Sequence, residues 1–135
     1  MANLTRFISA QQNMYDCALQ EIIGGRKLSH WMWYIFPQLQ GLGESLKSQQ
    51  FSIKNLKEAK EYMYDPYLRE NLVRITRALL QHNEDIKYIM GYPDYLKLQS
   101  CMTLFEAAAP DVPEFRLVLE KFYEGKRCEY TSQNI

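Results

Sequence analysis

The chain has 135 residues, 47% of them hydrophobic, and its sixteen Lys and Arg are balanced by sixteen Asp and Glu. That length can bury one core without metal or disulfide staples. A net charge of zero removes the long-range attraction that brings proteins to nucleic acid polymers, anionic membranes or strongly acidic partners, so any ligand must be recognised locally. Cys17, Cys101 and Cys128 are odd in number and form no C-x-x-C pair, which suits a reducing compartment and sets the expected location as the cytoplasm. No apolar signal-peptide core and no uninterrupted apolar run of about 18 residues is found, so no membrane segment is expected. With only His30 and His82, a tetrahedral zinc site lacks ligands, and no metal or cofactor is expected.

Leu4, Phe7, Met14, Ala18 and Ile22 recur at helical spacing, and Gly24-Gly25 supplies a stop, so the first helix runs from Leu4 to Ile23. Gln11 lies on its apolar stripe, where a buried amide must be hydrogen-bonded, either as a core crosslink or to a ligand. Ser29 reads as the N-cap of a short helix from His30 that Pro37 ends. The following "GLGESLKSQQ" reads as a loop with Ser45 capping a brief turn, and "FSI" as extended. Asn55 caps a helix to Tyr64, Asp65-Pro66 opens a long one to His82, and Asp85 to Met90 makes a short one closed by Gly91. "DYLKLQSCMTLFEAAA" is apolar nearly all round, the mark of a buried helix, and its embedded Lys97, Ser100 and Thr103 need a reason. Pro113 to Tyr123 makes the last helix. The reading is all-α, one compact helical domain of six to seven helices over residues 1–125, with a polar tail at 126–135.

Chemistry concentrates in "HWMWYIFPQLQGLGES", His30 to Ser45. Trp31 and Phe36 read as core. His30, Trp33 and Gln38 read as the wall of a pocket, because an imidazole can move protons, an indole can stack on a ring, and a primary amide can donate and accept at its edge. In Gly41-Leu42-Gly43-Glu44-Ser45 the glycines allow close backbone approach, but the motif lacks the P-loop's Lys-Ser/Thr ending and a preceding strand. An ordinary turn and a phosphate cradle stay equally open. Lys97, if buried, pairs with a carboxylate such as Glu21 or Glu58, or meets a ligand phosphate. Cys101 reads as a small apolar residue and His82 as a solvated helix end.

The blocks "FISAQQNMYDCALQEIIGGRKLSHWMWYIFPQLQGLGES", "EAKEYMYDPYLREN" and "YPDYLKLQSCMTLFEAA" resemble the bacterial domain-of-unknown-function family eighteen-ten over nearly the whole chain. The resemblance implies a small, mainly α-helical domain and brings no established activity. Members are often labelled calpastatin, which implies a disordered inhibitor, whereas this composition is globular. Matching positions include Gln11, His30, Trp33, Gln38, Gly41, Gly43, Ser45, Asp94, Lys97, Ser100, Thr103 and Phe105. Departures are Cys101 in place of Ser, Asp65 in place of His, and "KRCEYT" where the tail usually has Asp before Thr, leaving Glu129 as the near substitute.

The leading expectation is a pocket for a small phosphate-bearing, nucleotide-derived molecule that is sensed or sequestered. Trp33 would stack on it, Gln11, His30 and Gln38 would make polar contacts, Gly41, Gly43, Ser45 and Lys97 would meet its anionic part, and Ser100 and Thr103 would line the floor. The first alternative is a hydrolase of a nucleotide or ADP-ribose-like linkage, with His30 as general acid or base and Glu21 or Asp94 as its carboxylate partner. The second is an interaction protein in which Gln11, His30 and Lys97 only fix packing.

Overall fold

A row of aromatic rings crosses the interior and sets which face of each helix turns inward. Tyr34, Phe51, Phe7, Tyr62, Phe105 and Phe115 follow one another with neighbouring ring centroids 5.1 to 6.0 Å apart, in the tilted and edge-on arrangements that aromatic quadrupoles favour. The computed structural model describes residues 3–135. Helix α1 (Thr5–Ile23) buries Phe7, Gln11, Tyr15, Ala18, Leu19 and Ile22, one stripe at three- and four-residue spacing. Helices α2 (Met32–Ile35) and α3 (Leu46–Gln50) are single turns. Asn55 accepts the Glu58 amide to start α4 (Leu56–Tyr64), and Asp65 accepts the Leu68 amide ahead of Pro66 to start α5 (Pro66–Leu80).

After the short α6 (Ile86–Met90) comes α7 (Asp94–Ala108), which buries Leu98 and everything from Ser100 to Phe105. It packs against α4, α6, α8 (Pro113–Tyr123) and α9 (Glu129–Gln133), while α1 packs on α5 and α2, and α5 on α8. The described residues are all-helical, in nine helices of which five have seven or more residues. The count exceeds the expected six to seven because α3 and α9 have five residues each, too few for a hydrophobic period to show. Within 126–135, the segment read as a polar tail, α9 buries Thr131. The "FSI" stretch is extended as expected: the Ile53 amide donates to the Gln38 carbonyl at 2.9 Å and the Gln40 amide to the Ile53 carbonyl at 2.8 Å.

Two local readings are corrected. Ser29 does not cap α2, which starts at Met32 without a side-chain cap. The Ser29 hydroxyl instead donates to the Glu21 carboxylate at 2.6 Å, together with the Leu28 and Ser29 amides, the Trp31 indole N–H and the Cys17 thiol. The four donors from residues 28–31 fold that segment back over the end of α1 and fix where α2 begins. Burial alone would raise the Glu21 pKa, but the Ser29 hydroxyl, the two amides and the indole outweigh it and hold the carboxyl at about 2. His82 is not a solvated helix end either, since its Nε2 donates to the Ile22 carbonyl at 2.6 Å and ties α5 to α1.

Gln11 is the core crosslink. Its amide donates to the Tyr34 carbonyl at 2.8 Å and the Tyr62 hydroxyl at 2.9 Å, and its carbonyl accepts from Asn71 at 3.0 Å. Helices α1, α2, α4 and α5 therefore meet at one carboxamide that is 2% exposed. Gln11→Leu strands the Tyr34 carbonyl and the Asn71 amide, and urea unfolding is expected to show a loss of about 2–4 kcal/mol; wild-type stability would mean the network is dispensable. For Glu21, the folded pKa of about 2 lies below the ordinary 4.5, so its contribution is complete above pH 4.5 and vanishes as pH falls toward 2. Glu21→Gln should therefore melt below wild type at pH 7 and converge with it near pH 2, and parallel Tm–pH curves would refute that origin.

Candidate functional site

Trp31 and Trp33 stand two residues apart at the start of α2 and receive opposite environments. Trp31 is fully buried, with its indole N–H on Glu21. Trp33 is only partly buried, and two ammonium groups approach its ring: Lys47 at 4.8 Å and Lys97 at 5.6 Å from the centroid. Each is within cation–π range. Lys47 comes from α3 and is exposed, whereas Lys97 comes from the first turn of α7 and is partly buried.

Asp94 positions Lys97. Its carboxylate lies 3.6 Å from Lys97 Nζ and 2.8 Å from Lys27 Nζ, so one acid is shared between two bases. The carboxylate partner of Lys97 is thus Asp94, in place of the expected Glu21 or Glu58. Glu58 instead pairs with Arg6 at 3.1 Å. Arg6 also donates to the Gln50 and Ser52 carbonyls, anchoring the segment that follows α3.

Beside Trp33 lies a small indentation that Gln38 and Ser48 also line, and the same two residues form one end of an open cleft of about 590 Å3. Gln38, Gln40, Gln49, Ser48, Ser52 and Tyr130 supply its side chains, with Gly41 and Gly43 contributing bare backbone. No charged side chain lines it among the described residues. Gly41 has φ +95°, and a Cβ there would overlap the Tyr130 hydroxyl. At Gly43 a Cβ would overlap the Ser48 side chain. Both glycines are therefore needed by the packing of the cleft wall itself.

Tyr130 is the wall that sequence reasoning missed. Its hydroxyl donates to the Gln40 carbonyl at 3.0 Å, ninety residues away in the chain, and it is carried by α9. The polar residues embedded in α7 hold that helix in place. Gln99 donates to the Lys126 carbonyl, Ser100 shares a 3.0 Å hydrogen bond with Thr131, Thr103 accepts the Cys128 amide at 2.9 Å, and Glu106 pairs with Arg127. Ser100 and Thr103 stood out in the sequence as polar residues embedded in an apolar helix; that they face 126–131, alongside Gln99 and Glu106, did not.

The structure therefore divides the sequence-derived candidates. Trp33, Gln38, Gly41, Gly43 and Lys97 gather around the cleft and its neighbouring indentation. Ser45 sits at the rim, where its hydroxyl caps α3 by accepting the Ser48 amide at 3.1 Å. Ser100 and Thr103 fasten α9 from behind, and Gln11 is in the core. His30 is exposed just before α2, and it lines neither the cleft nor the indentation. Glu21, weighed as its carboxylate partner, spends both oxygens on the 28–31 loop, and Asp94 is shared between Lys27 and Lys97. Cys101 is fully buried, and burial pushes its thiol pKa well up, as befits a small core residue. Among the described residues no group of three His, Cys, Asp or Glu is placed to hold a metal ion, and no helix is long and apolar enough to cross a membrane.

In known structures the same architecture is found in the crystal structure of the conserved hypothetical protein Rv1873 from Mycobacterium tuberculosis. That chain is 39% identical and superposes with a TM-score of 0.94, over 96% of this chain and 94% of its own. No curated protein matches the sequence. The match to the family described as "Protein of unknown function (DUF1810)" extends over residues 1–135, and the chain belongs to that family.

Proposed function

We propose that this protein binds a small phosphate-bearing, nucleotide-derived molecule and holds it without turnover. The observation that carries the reading is the partly exposed Trp33 indole with Lys47 and Lys97 over its ring, next to a cleft of small-molecule size. A planar heterocycle can take the place of the exposed Lys47 on the indole face, and the released ammonium then meets the phosphate together with Lys97. Gln38, at the junction of indentation and cleft, offers a donor and an acceptor to a ring edge.

Binding is favoured over hydrolysis because the cleft walls named above carry amides and hydroxyls, with no imidazole, carboxylate or thiol among the described lining residues to act as acid, base or nucleophile. The polar core network of Gln11 supports packing, but it leaves the partly exposed indole and its two lysines without an explanation, which a ligand supplies.

A thermal-shift screen over AMP, ADP, NAD and sugar phosphates tests the reading. A ligand present at a hundred times its Kd stabilises the native state by about 2.7 kcal/mol, an upward shift of several degrees in Tm. Lys47→Ala and Lys97→Ala should each weaken binding by about ten-fold, the scale of one charge-assisted contact, and Trp33→Ala should abolish the quenching of tryptophan fluorescence by the ligand. No shift with any phosphate compound, or shifts that survive in Trp33→Ala/Lys97→Ala, would refute it.

A further inference from the structure

The two halves of the candidate site differ in chemistry, and the difference specifies the ligand further. The Trp33 half is aromatic and cationic, with Lys47 and Lys97 over the ring. The cleft half, reached past Gln38 and Ser48, is neutral and crowded with groups that both donate and accept: three carboxamides, two hydroxyls and the Tyr130 phenol. The carboxamides of Gln38 and Gln40 have no hydrogen-bond partner among the described residues. A phosphate in this half would meet no counter-charge. Ser48, Gln49, Ser52 and Tyr130 already hydrogen-bond within the protein, whereas a second heterocycle covering the Gln38 and Gln40 carboxamides would leave them without partners, at a cost for each one desolvated. A polyol satisfies them, because each of its hydroxyls also donates and accepts, while its C–H face packs on the phenol ring.

We infer, resting on the ligand reading above, that the neutral cleft is a sugar subsite and that the ligand class is a nucleoside diphosphate bearing a distal sugar. The base stacks at Trp33, the diphosphate lies by Lys97 and Lys47, and the sugar enters the cleft against Tyr130 and the bare backbone of Gly41 and Gly43. The cleft's volume of about 590 Å3 falls within the range of roughly 300–1,000 Å3 usual for small-molecule sites. Tyr130 is then the specificity-determining residue, held in register by its hydrogen bond to the Gln40 carbonyl and by the docking of α9 on α7 through Ser100 and Thr131.

The experiment uses ligand pairs that differ only in the distal sugar, ADP with ADP-ribose and UDP with UDP-glucose, titrated calorimetrically into the full chain. The sugar-bearing member of at least one pair should bind ten-fold or more tighter than its partner. Tyr130→Leu should bring that ratio close to one. Gln40→Ala, a change to an exposed side chain, serves the same purpose should Tyr130→Leu loosen α9, and should lower the ratio at least three-fold. Trp33→Ala should weaken both members of a pair equally. Equal affinity within each pair overturns the sugar subsite and leaves nucleotide binding standing, whereas no binding by any of the four compounds overturns both.

Discussion

The course of the chain between α1 and α2 depends on one carboxylate. Glu21 projects from the last turn of α1 and gathers the Leu28 and Ser29 amides, the Ser29 hydroxyl and the Trp31 indole, so the chain turns back where its polar groups can be satisfied. Backbone amides that leave water must find partners, and here a side chain supplies what no secondary structure does. Everything downstream inherits that decision: Trp31 is drawn into the core, Trp33 falls on the outer face of α2, and Pro37 ends the helix soon enough for residues 38–43 to line a cleft.

The helices were largely legible from sequence because their signals are local. Caps at Asn55 and Asp65, prolines at the first helical position and an apolar stripe on α1 are all written within a few residues of where they act. The all-round apolarity of α7 likewise foretold its burial. Illegible were features that depend on which distant group comes near. Ser29 has the right residue type and position for an N-cap, yet a carboxylate eight residues back competes for its hydroxyl and wins. His82 stands among Asn83, Glu84 and Asp85, all signs of solvent, but a carbonyl from α1 accepts its proton.

The candidate site was half legible for the same reason. Trp33, Gln38 and the two glycines belong to one short stretch, so composition alone marked them. Lys97 was marked as an odd cation in an apolar helix, although its partner was one turn away at Asp94 and not on another helix. Ser100 and Thr103 were recognised as misfits and assigned to the wrong side of α7. They face α9, and no periodicity in a five-residue helix could have announced that helix. Tyr130 escaped entirely because nothing in "KRCEYTSQ" distinguishes a cleft wall from a solvated tail. Polar residues in a buried helix thus ask a valid question, but its answer can be a docking strip as readily as a ligand contact.

The hydrogen bond between Tyr130 and the Gln40 carbonyl closes a loop of ninety residues. During synthesis the glycine side of the cleft leaves the ribosome long before the phenol that faces it. A nascent chain can therefore assemble the aromatic core of α1, α2 and α4 while its cleft still has one wall missing. The cleft becomes complete only when residues beyond 130 have been made and α9 has settled on the polar strip of α7. Completion of the cleft thus depends on α9 being packed on α7, so a folding fragment that ends before residue 130 has the glycine wall without the phenol that faces it.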